Sequence, residues 1–334
     1  ALCSTLARLG VTPDEAAGFL DPKIRDLLPD PLTLKDMGIA AERFLQALAG
    51  RQSIALFADY DVDGGTSAAI LIDWLREMGH SATLYVPDRI DEGYGPNVPA
   101  MTALAKDHDL IFCVDCGTLS HEPIAAASSD ADVIVLDHHL GGETLPEAVA
   151  VVNPNRQDES GELGHLCAAA VVFLFLVEVN RQLRVQGTAG PDLMQLLDLV
   201  ALATVADVAP LIGVNRALVR QGLKVMGLRA RCGLTALADV AGIDSAPNSY
   251  HLGFILGPRV NAGGRVGKAD IGARLLATED PHEAQALAER LDQLNRERRD
   301  IEARVLAEAQ AQVGEPSEDR ALVWAAGDGW HPPG

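Results

Sequence analysis

Ile54-Ala55-Leu56-Phe57-Ala58-Asp59-Tyr60-Asp61-Val62-Asp63-Gly64-Gly65 is an apolar run that breaks into three acids and a glycine pair. Two other segments repeat the design. Ile111-Phe112-Cys113-Val114 runs into Asp115-Cys116-Gly117, and Val133-Ile134-Val135-Leu136 runs into Asp137-His138-His139. Strand ends of an open parallel sheet meet along one edge, where ligands bind. Three separated segments therefore bring carboxylates and imidazoles to one place. Crowded like charges raise one another's pKa or repel. A divalent metal is the simplest way to satisfy them.

The surrounding pattern supports such a sheet. Strands are predicted at 53–58, 82–86, 110–114, 132–136 and 149–152, with helices at 66–78, 97–106 and 119–128 between them. This alternation predicts an α/β fold with a parallel sheet and right-handed crossovers. Residues 1–50 read as a helical cap, broken at Asp30-Pro31, with a helix over 32–48. From 166 the pattern turns helical, with segments at 166–184, 191–205, 214–227 and 231–240. Over 281–313, Ala284, Leu287, Leu291, Leu294, Ile301 and Val305 recur at three- and four-residue steps, which predicts one long amphipathic helix. Pro281 suits its first position and Gly314 its end. Ala321-Leu322-Val323-Trp324-Ala325 then reads as the first strand of a further unit, most of which lies beyond the sequence.

Composition narrows the class. The 334 residues are 48% hydrophobic, enough for one large or two medium domains with a sizeable core. No apolar stretch is long enough to cross a bilayer, and the first residues do not read as a secretory signal. Five cysteines (Cys3, Cys113, Cys116, Cys167, Cys232) are an odd count for a disulfide framework and fit a reducing cytoplasm. Cys113 and Cys116 spell C-x-x-C, but their place on a strand end reads as burial rather than a zinc or redox site. A net charge of −20 argues against broad adhesion to nucleic acid or anionic membrane. It leaves room for a phosphate substrate held by metals and a few placed arginines.

Asp59, Asp61 and Asp63 alternate along what reads as an extended segment, so Asp61 and Asp63 share one side. A helix starting near Thr66-Ser67 would add free N–H groups beside them. Alone, an acidic loop closed by an Asx turn would look the same. The adjacent histidines, in an extended segment, are expected to point opposite ways and to hold different jobs. One can ligate a metal and the other can face substrate as donor or acid, with Asp137 orienting a ring. Asp207 ends an apolar helix, where the helix dipole disfavours a carboxylate; a metal there would justify it. Gly257-Pro258-Arg259-Val260-Asn261-Ala262-Gly263-Gly264-Arg265 has the glycines for close backbone approach and the donors for phosphate. A solvated turn would share that composition.

DYDVDGGTS at 59–67, VDCG at 114–117, DHH at 137–139 and ADVAPL at 206–211 resemble the four motifs of the DHH phosphoesterase superfamily. EGYG at 92–95, NPN at 153–155 and GPRVNAGGR at 257–265 resemble its RecJ branch, the single-stranded-DNA-specific exonucleases. The resemblance implies a DHH catalytic domain over 1–280: a helical cap to about 50, a parallel sheet over about 51–155, and a helical part over about 160–280. It implies a linker helix over 281–314 and the truncated start of a DHH-associated α/β domain over 315–334. It also implies two-metal phosphodiester hydrolysis, with Mn²⁺ preferred and Mg²⁺ accepted. Asp61, Asp63, Asp115, His138 and Asp207 would be the ligands, with Asp115 bridging, and Asp59 would be a further ligand or stand just behind them. His139 would contact the scissile phosphate, backed by Asp137. Arg259, Asn261 and Arg265 would hold phosphate or nearby backbone. Related pyrophosphatases carry a ligating His where Phe57 stands, so that ligand is lost or replaced by Asp59. Gly263 stands where Ala is more usual, and the family's later Gly-Gly-His motif is not in this sequence.

The implied function is a cytoplasmic 5′→3′ exonuclease on single-stranded DNA in recombination and repair, in company with other repair proteins. The low aromatic content, 4%, favours a grip on the backbone over base stacking. Two other functions share the fold. One is a phosphodiesterase for short oligonucleotides or cyclic dinucleotides. The other is a non-catalytic replication scaffold whose metal ligands have decayed, which the full set of acids and histidines argues against.

Overall fold

The computed structural model describes residues 2–89, 92–314 and 322–330. Four helices precede the sheet: α1 (Leu2–Arg8), α2 (Ala16–Leu20), α3 (Ile24–Leu27) and α4 (Met37–Ala49). The alternating part follows as β1 (Ile54–Ala58), α5 (Val62–Glu77), β2 (Thr83–Tyr85), α6 (Val98–Asp107), β3 (Leu110–Val114), α7 (His121–Ala127), β4 (Asp132–Leu136) and β5 (Ala150–Val152). The helical part comprises α8 (Ala168–Val185), α9 (Leu197–Ala206), α10 (Gly213–Gly227), α11 (Cys232–Val240), α12 (Gly257–Val266), α13 (Ile271–Ala277) and the long α14 (Pro281–Val313). A π-helical stretch, His251–Leu256, runs directly into α12.

The five strands are all parallel, in the order β2-β1-β3-β4-β5. This is a doubly wound order that reverses between β1 and β3, and the crevice outside the carboxyl ends there is the usual ligand site. Strands covered on both faces read as unbroken apolar runs. Every residue of β1 and β3 is buried. Ile54, Leu56, Ala58, Phe112 and Leu136 enter the larger core with α4, α5, α8 and α9. Ala55, Phe57, Ile111, Cys113 and Val135 enter a smaller one with α6 and α7.

Several expectations shift. The predicted helix over 32–48 resolves into a 3₁₀ turn, Pro31–Thr33, and α4, because Asp36 adopts a left-handed φ of 61° between them. The stretch 191–205 divides into a 3₁₀ turn, Leu193–Leu196, and α9. Residues 322–325 form no strand: Leu322 and Trp324 are 85% and 80% exposed, and no neighbouring strand among the described residues offers them a hydrogen-bonding edge. Ala321 lies outside the described residues. The buried stripe of α14 stops at Asn295, short of Ile301 and Val305. All five cysteines are free. Among the described residues no helix is long and apolar enough to cross a membrane.

Candidate metal centre

Register builds the site. Ala58 pairs with Val114, Val114 with Leu136, and Leu136 with Val152. The next residues continue the ladder: the N–H of Asp59 donates to Val114 O, that of Asp115 to Leu136 O, and that of Asp137 to Val152 O. Asp59, Asp115 and Asp137 therefore stand in line across the carboxyl edge, at the point where the strand order reverses.

The helix after β1 begins at Val62, four residues earlier than expected. Asp61 is the reason, since its Oδ1 accepts from the N–H groups of Asp63 (2.8 Å) and Gly64 (3.1 Å) as an N-cap. Asp61 and Asp63 thus sit at the start of a helical turn rather than two apart on a strand. A Cβ at Gly64 would lie 2.4 Å from Asp59 O, so only glycine lets α5 start this close to the motif. Asp63 is buried and turned inward. Its two oxygens accept from the Ala168 and Ala169 N–H groups at the start of α8, at 2.6 and 2.8 Å.

The two histidines do not point apart. Their ring centroids lie 4.7 Å from one another. The chain has left β4, and Asp137 Oδ1 accepts from the N–H groups of both His138 (2.7 Å) and His139 (3.2 Å), which folds the dipeptide into a tight turn. The same oxygen lies 2.8 Å from His139 Nδ1, and Oδ2 accepts from the Thr118 N–H and hydroxyl. Asp137 is therefore saturated. Burial would raise its pKa, but the hydrogen bonds from His139 and Thr118 prevail and hold it at about 2. That contact raises the pKa of His139 against the effect of burial.

His138 Nε2 lies 3.2 Å from Asp115 Oδ1, 3.6 Å from Asp63 Oδ2 and 3.9 Å from Asp207 Oδ2. Three overlapping groups have ligand atoms within 4.8 Å of one another: Asp115 with His138 and His139, Asp63 with His138 and Asp207, and Asp59 with Asp61 and Asp115. All six residues expected to bind metal fall in these groups, and Asp115 and His138 each belong to two. Asp207 caps the C-terminal end of α9, and Val208 after it holds a φ of 59°, a costly conformation for a β-branched residue. Asp115 has a φ of 60°.

Electrostatics here are unbalanced. Burial, then neighbouring Asp61, raises Asp59 to about 8. Burial raises Asp63 to about 7, with His138 pulling the other way. Burial and then Asp63, Asp61 and Asp59 push Asp115 well above the carboxylate range. Burial also raises Asp207. Asp59 Oδ1 and Asp115 Oδ1 are buried and accept no hydrogen bond among the described residues. Buried acceptors left bare are rare and costly, and a divalent cation fits this oxygen-rich donor set with imidazole.

The glycine-rich segment is not a turn. It is α12, and a Cβ at Gly264 would lie 2.8–2.9 Å from Tyr60 atoms, so the helix presses directly on the first motif. The three expected substrate residues separate. Asn261 Oδ1 accepts from the Val62 N–H at 2.9 Å and so pins the start of α5. Arg259 turns away to Asp292 on α14 (3.0 Å) and to Ile255 O (2.8 Å). Arg265 makes no hydrogen bond or ion pair among the described residues; burial and then Arg298 and Arg89 lower its pKa, and Tyr60 and Asp61 attract it. Arg89 lies 5.1 Å over the Tyr60 ring.

Two contributions come from motifs that carry no assigned role in the sequence. The Tyr94 hydroxyl lies 3.0 Å from His139 Nε2. Asn153 and Asn155 hold the histidine turn from behind, their side-chain amides donating to His139 O (2.8 Å) and His138 O (2.5 Å). EGYG and NPN contain these residues, but only the folded chain brings them to the histidines. Phe57 is buried and stacks on Tyr85, on the smaller core's side of the sheet.

Comparison with known proteins agrees with this architecture. Residues 53–204 match the DHH family, N-terminal domain. The single-stranded-DNA-specific exonuclease RecJ of Dickeya dadantii is 42% identical over 302 residues, covering 87% of this chain and 52% of that protein. RecJ of Bacillus subtilis is 35% identical over 335 residues, covering 99% and 41%. The chain thus spans about half the length of these relatives. A crystal structure of exonuclease RecJ bound to manganese superposes with a TM-score of 0.76 at 35% identity, covering 84% of this chain and 71% of that one. RecJ from Thermus thermophilus in complex with Mn²⁺ gives the same TM-score at 34% identity, over 89% of this chain and 42% of that one. The chain belongs to the DHH family, within its RecJ group.

Proposed function

We propose that this chain carries the hydrolytic core of a 5′→3′ exonuclease acting on single-stranded DNA in recombination and repair. The observation that carries the reading is the uncompensated acid cluster at the strand-order reversal: buried carboxylates with bare oxygens, in a chain similar to manganese-bound RecJ. Asp59, Asp61, Asp63, Asp115, His138 and Asp207 would hold two divalent cations, with Asp115 shared and Mn²⁺ preferred over Mg²⁺. Such cations polarise the phosphoryl group and the attacking water and offset the charge of an in-line transition state.

The protein's own groups do the rest. Asp137 accepts a hydrogen bond from His139 Nδ1–H, which fixes the ring and favours its protonated form. His139 can then donate from Nε2, now beside the Tyr94 hydroxyl, to a phosphate oxygen. Arg265, free of partners among the described residues and attracted by Asp61, would meet the next phosphate. Arg259 and Asn261 would serve the same strand chiefly by holding α12 against α14 and α5. Residues 1–280 would form this catalytic unit and 281–314 its connector. Free cysteines throughout suit a reducing cytoplasm.

The test is release of 5′-mononucleotides from 5′-labelled single strands in Mn²⁺, compared with duplex and with a dinucleotide. Wild type should degrade the long single strand fastest, and Asp115→Ala should be inactive. Equal rates for the two proteins would reject the metal assignment. A preference for the dinucleotide would favour the short-substrate phosphodiesterase.

A further inference from the structure

Charge is unevenly spread over this chain. Acids outnumber bases, 47 to 27, yet α10 carries Arg216, Arg220 and Lys224 and no acid. The three stand four residues apart and so share one face, where like charges repel. Arg216 is used inside the chain. Its guanidinium donates to Phe19 O at 3.0 and 3.2 Å and lies 3.7 Å over the Phe19 ring, which fastens the N-terminal helices to α10. Arg220 and Lys224 instead face Lys23 and Arg25 across a cleft of about 380 Å³ between α10 and the segment joining α2 to α3. Asp21 is the one acid in its walls. It pairs with Arg220, and with Lys23 at 3.8 Å. Lys224 forms no ion pair among the described residues and acts on Asp21 only through space. Arg25 reaches Asp26 at 3.3 Å with its side chain 77% exposed. The cleft is remote from the metal centre. A Cβ at Gly222, between Arg220 and Lys224, would lie 2.1 Å from Leu197 O and 2.5 Å from Ala201 Cβ. This part of α10 is therefore level with the start of α9, whereas Asp207 follows its end, about 9–15 Å farther along the axis.

We propose that this cleft is a binding site for a compact oligophosphate anion. Four cations around one acid leave an excess of positive charge in a protein at −20. Guanidinium forks and ammonium groups gathered in one concavity match clustered phosphate oxygens. Cations on two facing walls call for several charges at once, more than a single phosphate carries. The volume is that of a small-ligand site. Asp21 is an internal anion that holds Arg220 in place, and an incoming phosphate would displace it. Pro22, Ile24 and Met194 add an apolar wall, against which the body of a nucleoside could rest. An inorganic oligophosphate and a nucleoside polyphosphate share the chemistry that the cations recognise. The inference stands apart from the nuclease reading, because no residue of the cleft belongs to the metal centre.

Calorimetric titration tests the site, in EDTA so that no metal ion bridges a phosphate to the acid cluster. The probes are inorganic tripolyphosphate, ATP and AMP. The parent should bind one tripolyphosphate or one ATP per chain, with AMP about tenfold weaker or worse. ATP tighter than tripolyphosphate would assign the apolar wall to a nucleoside, and ATP no tighter would assign the site to an inorganic oligophosphate; both results support it. Arg220→Gln/Lys224→Gln should weaken tripolyphosphate at least about tenfold, and Asp21→Asn should tighten it. Lys106→Gln/Arg290→Gln removes the same charge from exposed positions on α6 and α14 and should bind like the parent. The site is refuted by a parent that binds no tripolyphosphate, by an Arg220→Gln/Lys224→Gln protein that binds like the parent, or by equal loss in the two double variants, which would mark a response to net charge alone. A single-stranded oligothymidylate that displaces tripolyphosphate at a lower concentration of phosphate would hand the cleft to nucleic acid and overturn the small-ligand assignment.

Discussion

Two groups of largely shielded acids among the described residues are resolved in opposite ways. Asp73 and Asp198 share Arg231, whose side chain is 13% exposed and donates to both carboxylates and to Leu276 O at 3.2 Å. Burial raises the Asp73 pKa, and Arg231 pulls it back. Asp59, Asp63 and Asp115 are at least as buried, at 3%, 1% and 1% exposure, yet among the described residues their ion pairs are with histidine alone. Their neighbours are further acids, which push in the same direction as burial. Where the sequence supplies a guanidinium, buried carboxylates hold the fold together. Where it supplies none, on the proposed reading they would hold cations from solution, and the metal-free fold would bear the cost.

The sharpest test is to neutralise one acid in the open group. Asp115→Asn keeps a residue that tolerates a left-handed φ. It should cut hydrolysis by more than about a hundredfold, since even residues behind a metal ligand are worth 10–100-fold. The same change should raise the melting temperature of the metal-free protein. A fall in that temperature would show that the cluster is not an uncompensated charge. The closed group should respond in the reverse sense. Arg231→Met strands Asp198, leaves Asp73 with Arg76 alone, and should cost about 3 kcal/mol in urea unfolding. Manganese affinity per folded molecule, measured by calorimetry, should stay the same. Loss of manganese binding in a folded Arg231→Met protein would tie the two groups together and end the contrast.

The open group was legible in the sequence because its logic is local and repeated. An apolar run buried on both faces ends in an acid, and in-register parallel pairing lines up Ala58, Val114 and Leu136, and so the acids after them. The histidine geometry was not legible. Alternation along a strand predicts opposite rings, but Asp137 captures both following N–H groups and turns them together. Nor was α12. Its glycines read locally as a turn, while Gly264 is there because Tyr60, two hundred residues away in sequence, packs where a Cβ would be. Arg259 looked free because Asp292 is a full helix further on. Misreadings of this kind are long-range packing effects that no window of neighbouring residues contains.

The pH dependence of the metal-free protein should show the contrast more gently. Asp63 and Asp59 have folded pKa values raised to about 7 and about 8. A carboxyl whose folded pKa is raised binds more protons folded than unfolded, from its unfolded value near 4 up to its folded value. Its stabilising contribution is full below that window and is lost as pH rises through it. Asp137, held at about 2, has the opposite sign, but its contribution is already complete above pH 4 and changes nothing between 5 and 8. The metal-free melting temperature should therefore fall by a few degrees from pH 5 to pH 8. Saturating Mn²⁺ should remove the fall, because binding needs the deprotonated acids and so grows stronger over the same range. Asp115→Asn should flatten the metal-free curve. A metal-free protein equally stable at both pH values would mean that the acids at the sheet edge are already balanced within the chain.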